Sequence, residues 1–369
     1  LDFTGASLSA GLSFQVDYTQ NAVVLRVVGS SPSDDIVINV ASGTQTQSQA
    51  GYATISTATS VTKTGAGTVV FDAANGYSGP TTVSAGTLRV ANTNGVGSSP
   101  VTVDTGATLE IASGTTMRSP SVIVDGGTLQ ASSVAVNNTT GITALAINAG
   151  TIAGAPAMAV GNGGELSLVQ DARVNVAVGS LSVELATGGG RVDLGAGQVS
   201  VATGGISAAD LRADIIAGRN GGAWDGLTGI MSSAAAASGG TRAVGYVVAV
   251  DGSAKVSYAA PGDVDLSGEV NVFDLVSINS SGTYGTGSAS VWSQGDFNYD
   301  GVTNVFDLVS INTAAAYGRG SYFPATPSAS GLGSIAAVPE PATMASVALG
   351  VAGIARLMSR RRRGGQKVS

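Results

Sequence analysis

Residues 61–91 read VTKTGAGTVVFDAANGYSGPTTVSAGTLRVA, and this stretch decides the fold. Its short runs of valine, threonine and leucine are separated by glycine, asparagine and serine, a pattern typical of strands joined by tight turns. Similar runs continue to about Val201. The pattern therefore predicts a mainly β region.

A unit of glycine, threonine or another short residue, and then an aliphatic side chain recurs along this region. The aliphatic positions step by 21, 20, 23 and 14 residues through Leu88, Leu109, Leu129, Ile152 and Leu166. The first three spacings suit a parallel β-solenoid, whose stacked coils bury inward aliphatic side chains. We expect such a solenoid over residues 61–205. A β-sandwich of short strands is the alternative that the same alternation could build.

The opening stretch resembles the autotransporter-associated β-strand repeat. Its matching residues are Lys63, Thr64, Gly65, Gly67, Thr68, Asn75, Tyr77, Gly79, Thr81, Thr82, Val83, Ala85, Gly86, Thr87 and Leu88. The resemblance implies a right-handed β-helix that forms a stalk or passenger on a cell surface.

Composition excludes several kinds of active site. The 369 residues include 54 glycines, no histidine and no cysteine. Histidine bases, thiol nucleophiles and zinc-thiolate sites are therefore absent. Six of the 17 basic residues lie in the last fourteen positions, which leaves 11 basic against 24 acidic residues in the rest of the chain. An acidic body disfavours nucleic acid and suits divalent cations.

Two stretches, GDVDLSGEVNVFD at 262–274 and GDFNYDGVTNVFD at 295–307, align at an offset of 33 residues. Each fits a twelve-residue calcium loop, with oxygen ligands at alternate positions around a glycine turn. The candidate Ca²⁺ ligands of the two sites are Asp263, Asp265, Ser267, Glu269, Asn271 and Asp274, and then Asp296, Asn298, Asp300, Val302, Asn304 and Asp307. Glu269 and Val302 would contribute backbone carbonyls. Aliphatic runs after each loop predict two short helices.

This tandem, with aspartate as the closing ligand, resembles a type I dockerin module over residues 261–320. The resemblance implies calcium-dependent folding and docking to a cohesin through loop positions 10 and 11. Those positions are Val272-Phe273 and Val305-Phe306, where the family often has small hydroxylated residues. Packing of these side chains against the other half of the module is the alternative.

The flanking segments carry weaker signals. Residues 1–60 are expected to be the strand-rich end of an upstream module plus a linker, and the chain a fragment of a longer precursor. Residues 206–260 form a connector, with a helix at 208–217 that places Leu211, Ile215 and Ile216 on one face. Ala234–Ser238 is expected to be a loop, and residues 242–258 strands.

The carboxy-terminal end has three parts after a flexible linker at 321–337. Pro339-Glu340-Pro341 precedes an apolar run from Ala342, followed by an arginine cluster at 360–363. The run predicts one membrane helix with a cytoplasmic carboxy terminus. Residues 338–363 resemble the PEP-CTERM sorting signal, which implies cleavage by an exosortase-type peptidase and a transient anchor in the inner membrane of a bacterium with an outer membrane.

Together these features predict a non-catalytic structural, adhesive or scaffolding protein at the cell surface or in the extracellular matrix. Its expected partners are the exosortase-type peptidase, the membrane before processing, and a cohesin-like protein or an extracellular polysaccharide, with no nucleic acid. The alternative is part of a polysaccharide-degrading enzyme or cohesin-dependent assembly whose catalytic module lies upstream. The solenoid acids show no clustered carboxylate pair; they are Asp72, Asp104, Glu110, Asp125, Glu165 and Asp171.

Overall fold

The computed structural model describes residues 12–19, 22–29, 35–186 and 188–324. Strands β1 (Leu12–Thr19) and β2 (Ala22–Gly29) form an antiparallel hairpin. This hairpin agrees with the two strands expected near the start of the chain.

The strands that follow are short and mostly parallel. In chain order, the first ten are β3 (Asp35–Asn39), β4 (Thr44–Thr46), β5 (Ser60–Thr64), β6 (Thr68–Phe71), β7 (Thr81–Val83), β8 (Thr87–Val90), β9 (Val101–Val103), β10 (Thr108–Ile111), β11 (Ser119–Val124) and β12 (Thr128–Gln130). The remaining strands are β13 (Ser133–Val136), β14 (Ile142–Ile147), β15 (Thr151–Ala153), β16 (Ala157–Val160), β17 (Glu165–Leu168), β18 (Asn175–Val178), β19 (Ser180–Val183), β20 (Arg191–Asp193), β21 (Gln198–Val201), β22 (Gly229–Met231), β23 (Ala243–Val248) and β24 (Ala254–Ala259).

These strands stack in ladders that run along the molecule. One sheet has the order β3-β5-β7-β9-β11-β14-β17-β20-β22, with β13, β16 and β19 joined to it through β14. A second sheet has the order β4-β6-β8-β10-β12-β15. Every pairing within these two sheets is parallel, and together they form a solenoid of about seven turns. This confirms the solenoid and excludes the β-sandwich, whose sheets are antiparallel.

The predicted leucine ladder is present in the second sheet. Leu88 pairs with Leu109, Leu109 with Leu129, and Leu129 with Ile152. The three leucines are fully buried, as inward positions of stacked coils require. The prediction for Leu166 was wrong, because this residue lies in the other sheet and pairs with Leu145. Its spacing of 14 residues is shorter than a coil, so the chain reaches only the neighbouring face.

Polar side chains inside the first coils link one coil to the next. The amide of Asn75 accepts hydrogen bonds from Gln47 Nε2 and Ile55 N and donates to Gly95 O. The hydroxyl of Tyr77 lies 2.7 Å from Thr81 Oγ1. Asn75, Tyr77 and Thr81 belong to the repeat motif noted in the sequence, and the coil-to-coil bonds of Asn75 give that part of the motif a structural reason.

The parallel ladder extends beyond the expected solenoid bounds at both ends. Strands β3 and β4 pair with β5 and β6, so residues 35–46 already belong to a coil. At the other end β22 pairs with β20, while β21 pairs in parallel with β18 and antiparallel with β24. Strand β23 closes this last sheet against β24, which confirms the strands expected at 242–258. The ladder therefore continues into the segment expected to be a connector.

Four α-helices lie near this end of the solenoid. They are α1 (Ala208–Arg219), α2 (Ser233–Ala237), α3 (Val272–Ser281) and α4 (Val305–Ala314), with short 3-10 turns at Asn220–Gly222 and Trp292–Gln294. Helix α1 buries Leu211 and Ile215 but leaves Ile216 41% exposed, so the expected three-residue face was wrong for Ile216. Helix α2 replaces the expected loop, because Ser232 caps an alanine run by accepting a hydrogen bond from Ala235 N.

The membrane helix and the sorting signal predicted at 338–363 lie outside the described residues. Among the helices that the structure does describe, none has both the length and the apolar character needed to cross a membrane.

Candidate metal centre

The two duplicated loops have the same backbone conformation. Gly268 has φ 95° and Gly301 has φ 94°, which confirms the sharp turn expected at position 6. Two positions earlier, Leu266 and Tyr299 also take positive φ values of 58° and 63°. This second pair was not foreseen, because leucine and tyrosine rarely adopt that conformation. Both side chains point into the core, where they are 1% and 7% exposed.

In loop one, the first aspartate is held by the turn that follows it. Oδ2 of Asp263 accepts a hydrogen bond from Gly268 N at 2.8 Å, and its Oδ1 accepts one from Ser267 N at 3.1 Å. Oδ1 of Asp265 also accepts from Ser267 N. The Ser267 hydroxyl lies 3.4 Å from the carbonyl of Glu269. The loop therefore gathers its predicted ligands around the glycine turn.

Loop two repeats this pattern with one difference. Oδ2 of Asp296 accepts from Gly301 N at 3.1 Å, while Asn298 and Asp300 bond to each other's side chain and backbone. The nitrogen of Val302 donates to Asp300 Oδ1. Oδ1 of Asp296 has no hydrogen-bond partner among the described residues, although the residue is only 1% exposed. A buried carboxylate oxygen without a partner is costly unless a ligand takes that place.

The closing aspartates connect each loop to its helix. Asp274 Oδ2 accepts from Asn271 N and its Oδ1 from Val264 N, on the far side of the loop. Asp307 makes the same two kinds of contact in loop two. Each pair forms a capping box at the start of α3 or α4, in which the side chains of Asn271 and Asn304 accept from the helix. These two asparagine side chains therefore already serve as helix caps.

Loop one brings three carboxylates together. One oxygen each from Asp263, Asp265 and Asp274 lies within 4.8 Å of the others, and within the described part of the chain no other such cluster occurs. Burial raises the pKa of Asp263 to about 6, against the opposing effect of hydrogen bonds from Tyr322 and Gly268. Burial also raises the pKa of Asp274. The donor set is oxygen only, which fits a hard cation such as Ca²⁺.

Two donors from outside the duplicated stretch reach the first aspartate of each loop. The Tyr322 hydroxyl donates to Asp263 Oδ2 at 2.6 Å, and Arg212 Nη2 donates to Asp296 Oδ2 at 3.2 Å. Sequence reasoning missed both residues. It placed Tyr322 in the flexible linker, although its neighbour Phe323 packs so closely on Gly268 that a Cβ there would overlap the ring. The only available signal was an aromatic pair inside a segment rich in serine and glycine.

The loops also share the hydrophobic core of the solenoid. Trp292 is fully buried, its Nε1 donates to Asp263 O at 2.7 Å, and its ring lies against Gly245 of β23. The Tyr299 hydroxyl donates to Val244 O at 2.6 Å, and the ring stacks on Tyr246. Residues 261–320 therefore pack directly on the last strands.

The comparisons with known proteins match two short parts of the chain. Residues 337–363 match the model of the PEP-CTERM protein-sorting motif. The chain carries a PEP-CTERM sorting motif. Residues 61–90 match the passenger-associated-transport-repeat, which covers strands β5 to β8. No curated protein and no solved structure matches the chain.

These two matches mark the PEP-CTERM chain as an exported, extracytoplasmic protein of the Gram-negative cell surface, processed by an exosortase. The sorting residues Pro339, Glu340 and Pro341 lie within the matched range. The repeat match agrees with the resemblance drawn from the sequence.

Loop positions 10 and 11 of the PEP-CTERM chain face solvent. Phe273 is 75% exposed and Phe306 is 66% exposed, and the valines before them are also exposed. The alternative that these side chains pack against the other half of the module was therefore wrong. Each helix starts with its capping box, which turns these positions away from the core.

The acids of the solenoid do not form a carboxylate pair. Glu110 forms an ion pair with Arg89 at 3.3 Å, and Glu165 forms one with Arg191 at 2.7 Å. Both pairs join residues on neighbouring coils. These acids have a structural role on the coil surface.

Proposed function

We propose that this exported protein is a non-catalytic structural or adhesive component of the cell surface. Its solenoid serves as a stalk, and its paired loops bind two Ca²⁺ ions in a dockerin-like arrangement. The observation that carries the proposal is the duplicated loop geometry, with the same glycine turn and the same buried first and last aspartates in both copies. A single acidic turn could arise for structural reasons alone, but two matching copies favour a shared ligand.

In loop one the side chains of Asp263, Asp265, Ser267 and Asp274 and the carbonyl of Glu269 would hold the ion. In loop two the corresponding groups are Asp296, Asn298, Asp300, Asp307 and the carbonyl of Val302. Asn271 and Asn304 stand at position 9, where a ligand often acts through a water molecule. The bound ion would supply the positive charge that offsets the repulsion among these carboxylates.

Shared packing gives calcium a wider structural effect than in a free-standing module. Trp292 and Tyr299 tie the loops to β23, so the folding of the loops and of this last sheet is coupled. We infer that calcium stabilises the end of the solenoid as well as the loops. A protein that completes its fold where calcium is plentiful suits an extracytoplasmic location.

Calorimetric titration of the full chain with Ca²⁺ tests this proposal. We expect two binding events, of which Asp265→Asn weakens one and Asp300→Asn weakens the other. Asp72→Asn, which removes an exposed acid from the solenoid, is the matched control and leaves both events unchanged. Absence of binding at millimolar calcium would overturn the calcium part of the proposal. Release of sugars from a glycan by the purified chain would overturn the non-catalytic part.

A second candidate role is docking of a protein partner, such as a cohesin-like domain, and the exposed helix starts favour it. Val272, Phe273 and Val276 are 52%, 75% and 55% exposed on α3. The equivalent Val305, Phe306 and Val309 are 56%, 66% and 56% exposed on α4. Exposed apolar side chains of this size are typical of binding surfaces.

A pull-down from the secreted proteins, with and without a calcium chelator, tests the docking role. The double variant Phe273→Ser and Phe306→Ser should lose the partner, while Leu227→Ser, which changes an 85% exposed leucine elsewhere, should keep it. Equal capture by both variants would count against docking through these helices.

A further inference from the structure

Helix α1 reaches from the solenoid to the second calcium loop. Its Arg212 donates through Nη2 to Asp296 Oδ2 at 3.2 Å and to Tyr299 O at 3.1 Å. Helix α1 packs on β22, the last strand of the first sheet. Asp296 is 1% exposed, so this guanidinium is a positive charge beside a buried carboxylate.

Loop one has no such charge at the equivalent place. There the outer oxygen of Asp263 is held by the neutral hydroxyl of Tyr322. The nearest cation in that direction is Arg173, whose guanidinium lies 3.5 Å above the ring of Phe323 rather than on the carboxylate. The two loops are alike in backbone but differ in the charge of their outer donor.

We propose that Arg212 is a built-in counterion of loop two that makes the two calcium sites unequal. Without calcium, the guanidinium neutralises the buried Asp296. With calcium, two positive species share one carboxylate, the ion through the free Oδ1 and the guanidinium through Oδ2. This inference rests on the proposed calcium function and specifies how its second site is regulated.

Electrostatics gives the direction of the effect. The guanidinium and an ion on opposite oxygens of one carboxylate lie well within a Debye length, and burial limits screening between them. Their repulsion weakens calcium at loop two but has little effect at loop one. Because coupling between binding events is reciprocal, calcium at loop two also weakens the contact between Arg212 and Asp296.

Calorimetry on the full chain and on three variants tests the proposal. In the natural chain we expect a tighter and a weaker event, with Asp300→Asn removing the weaker one. Arg212→Gln should tighten the weaker event about tenfold and bring the two affinities closer together. Arg212→Lys keeps the charge and should leave the weaker event weak. Arg219→Gln removes the same charge from the other end of α1 and is the matched control.

Thermal unfolding supplies an independent measurement. Arg212→Gln should lower the midpoint more in chelator than in saturating calcium, because the counterion matters most when the ion is absent. An unchanged or weaker second affinity in Arg212→Gln, or an equal midpoint loss in both conditions, would overturn the role of Arg212. That outcome differs from failure of the proposed function, in which the natural chain itself binds no calcium at either loop.

Discussion

The hydroxyl of Tyr322 lies 2.6 Å from Oδ2 of Asp263, a residue 59 positions earlier in the chain. The contact joins the segment that follows the duplicated stretch to the first ligand position of loop one. Burial raises the pKa of Tyr322 well above its usual value, and the neighbouring Asp263 charge acts in the same direction, so the phenol stays a donor. The end of the described chain therefore forms part of the candidate site.

Tyr322→Phe should lower the free energy of unfolding by about 2 kcal/mol at pH 8, because a hydrogen bond to a charged group contributes roughly 1.5–3 kcal/mol. Urea denaturation without calcium measures the change. Tyr317→Phe, at a residue that is 50% exposed, is the control and should stay within about 0.5 kcal/mol of the natural chain. A loss of similar size in both variants would contradict a specific role for the Asp263 contact.

Lys63 is 1% exposed and donates to the carbonyls of Thr64, Gly65 and Ala85. Lys63→Met keeps much of the side-chain volume but leaves these carbonyls without their donor. We expect a loss of about 3 kcal/mol or more in urea denaturation, since each unsatisfied buried group costs about 1–3 kcal/mol. Lys255→Met, on the partly exposed face of β24, should have little effect. Equal stability of the two variants would show that water replaces the ammonium group.

Burial raises the pKa of Asp214 to about 7, with the charge of Asp210 acting in the same direction. The folded chain therefore binds this proton more tightly than the unfolded chain, whose carboxyl has a pKa near 3.8. The stability contributed by the neutral form is present below about pH 4 and is lost as the pH rises to about 7.

Asp214→Asn imitates the neutral form, so it should stabilise the chain at pH 8 by about 2–4 kcal/mol and leave it nearly unchanged at pH 4. Denaturation curves at both pH values, in saturating calcium, measure the difference. Asp72→Asn controls for the loss of one negative charge at an exposed position. An equal effect of Asp214→Asn at both pH values would contradict the titration.

Trp292 joins the loops to the solenoid through its contact with Gly245 and its hydrogen bond to Asp263 O. Trp292→Ala should cost about 3–5 kcal/mol, as expected for a large aromatic residue removed from a core. Hydrogen exchange should then increase in β23 as well as in the loops. Trp292→Phe keeps most of the packing and should cost far less. Faster exchange confined to the loops would indicate that they fold independently of the solenoid.

Repetition made much of this fold predictable. Leu88, Leu109 and Leu129 recur at the length of one coil, and a parallel stack is the arrangement that buries all three. The calcium loops were predictable for a similar reason, since Asp263 and Asp274 occur again as Asp296 and Asp307 in the same local frame. The position of Leu166 was not, because a coil with three strands places successive aliphatic residues on different sheets.

The sequence by itself determined the coil repeat, the sorting motif and the candidate ligands of both loops, because each depends on residues that are close along the chain. The tertiary structure alone decided that the loops pack on the solenoid, that Phe273 and Phe306 face solvent, and that Tyr322 and Arg212 hold the first aspartates. Arg212 lies 84 residues from Asp296. No local pattern encodes such a contact, because it depends on where the whole chain places two distant side chains.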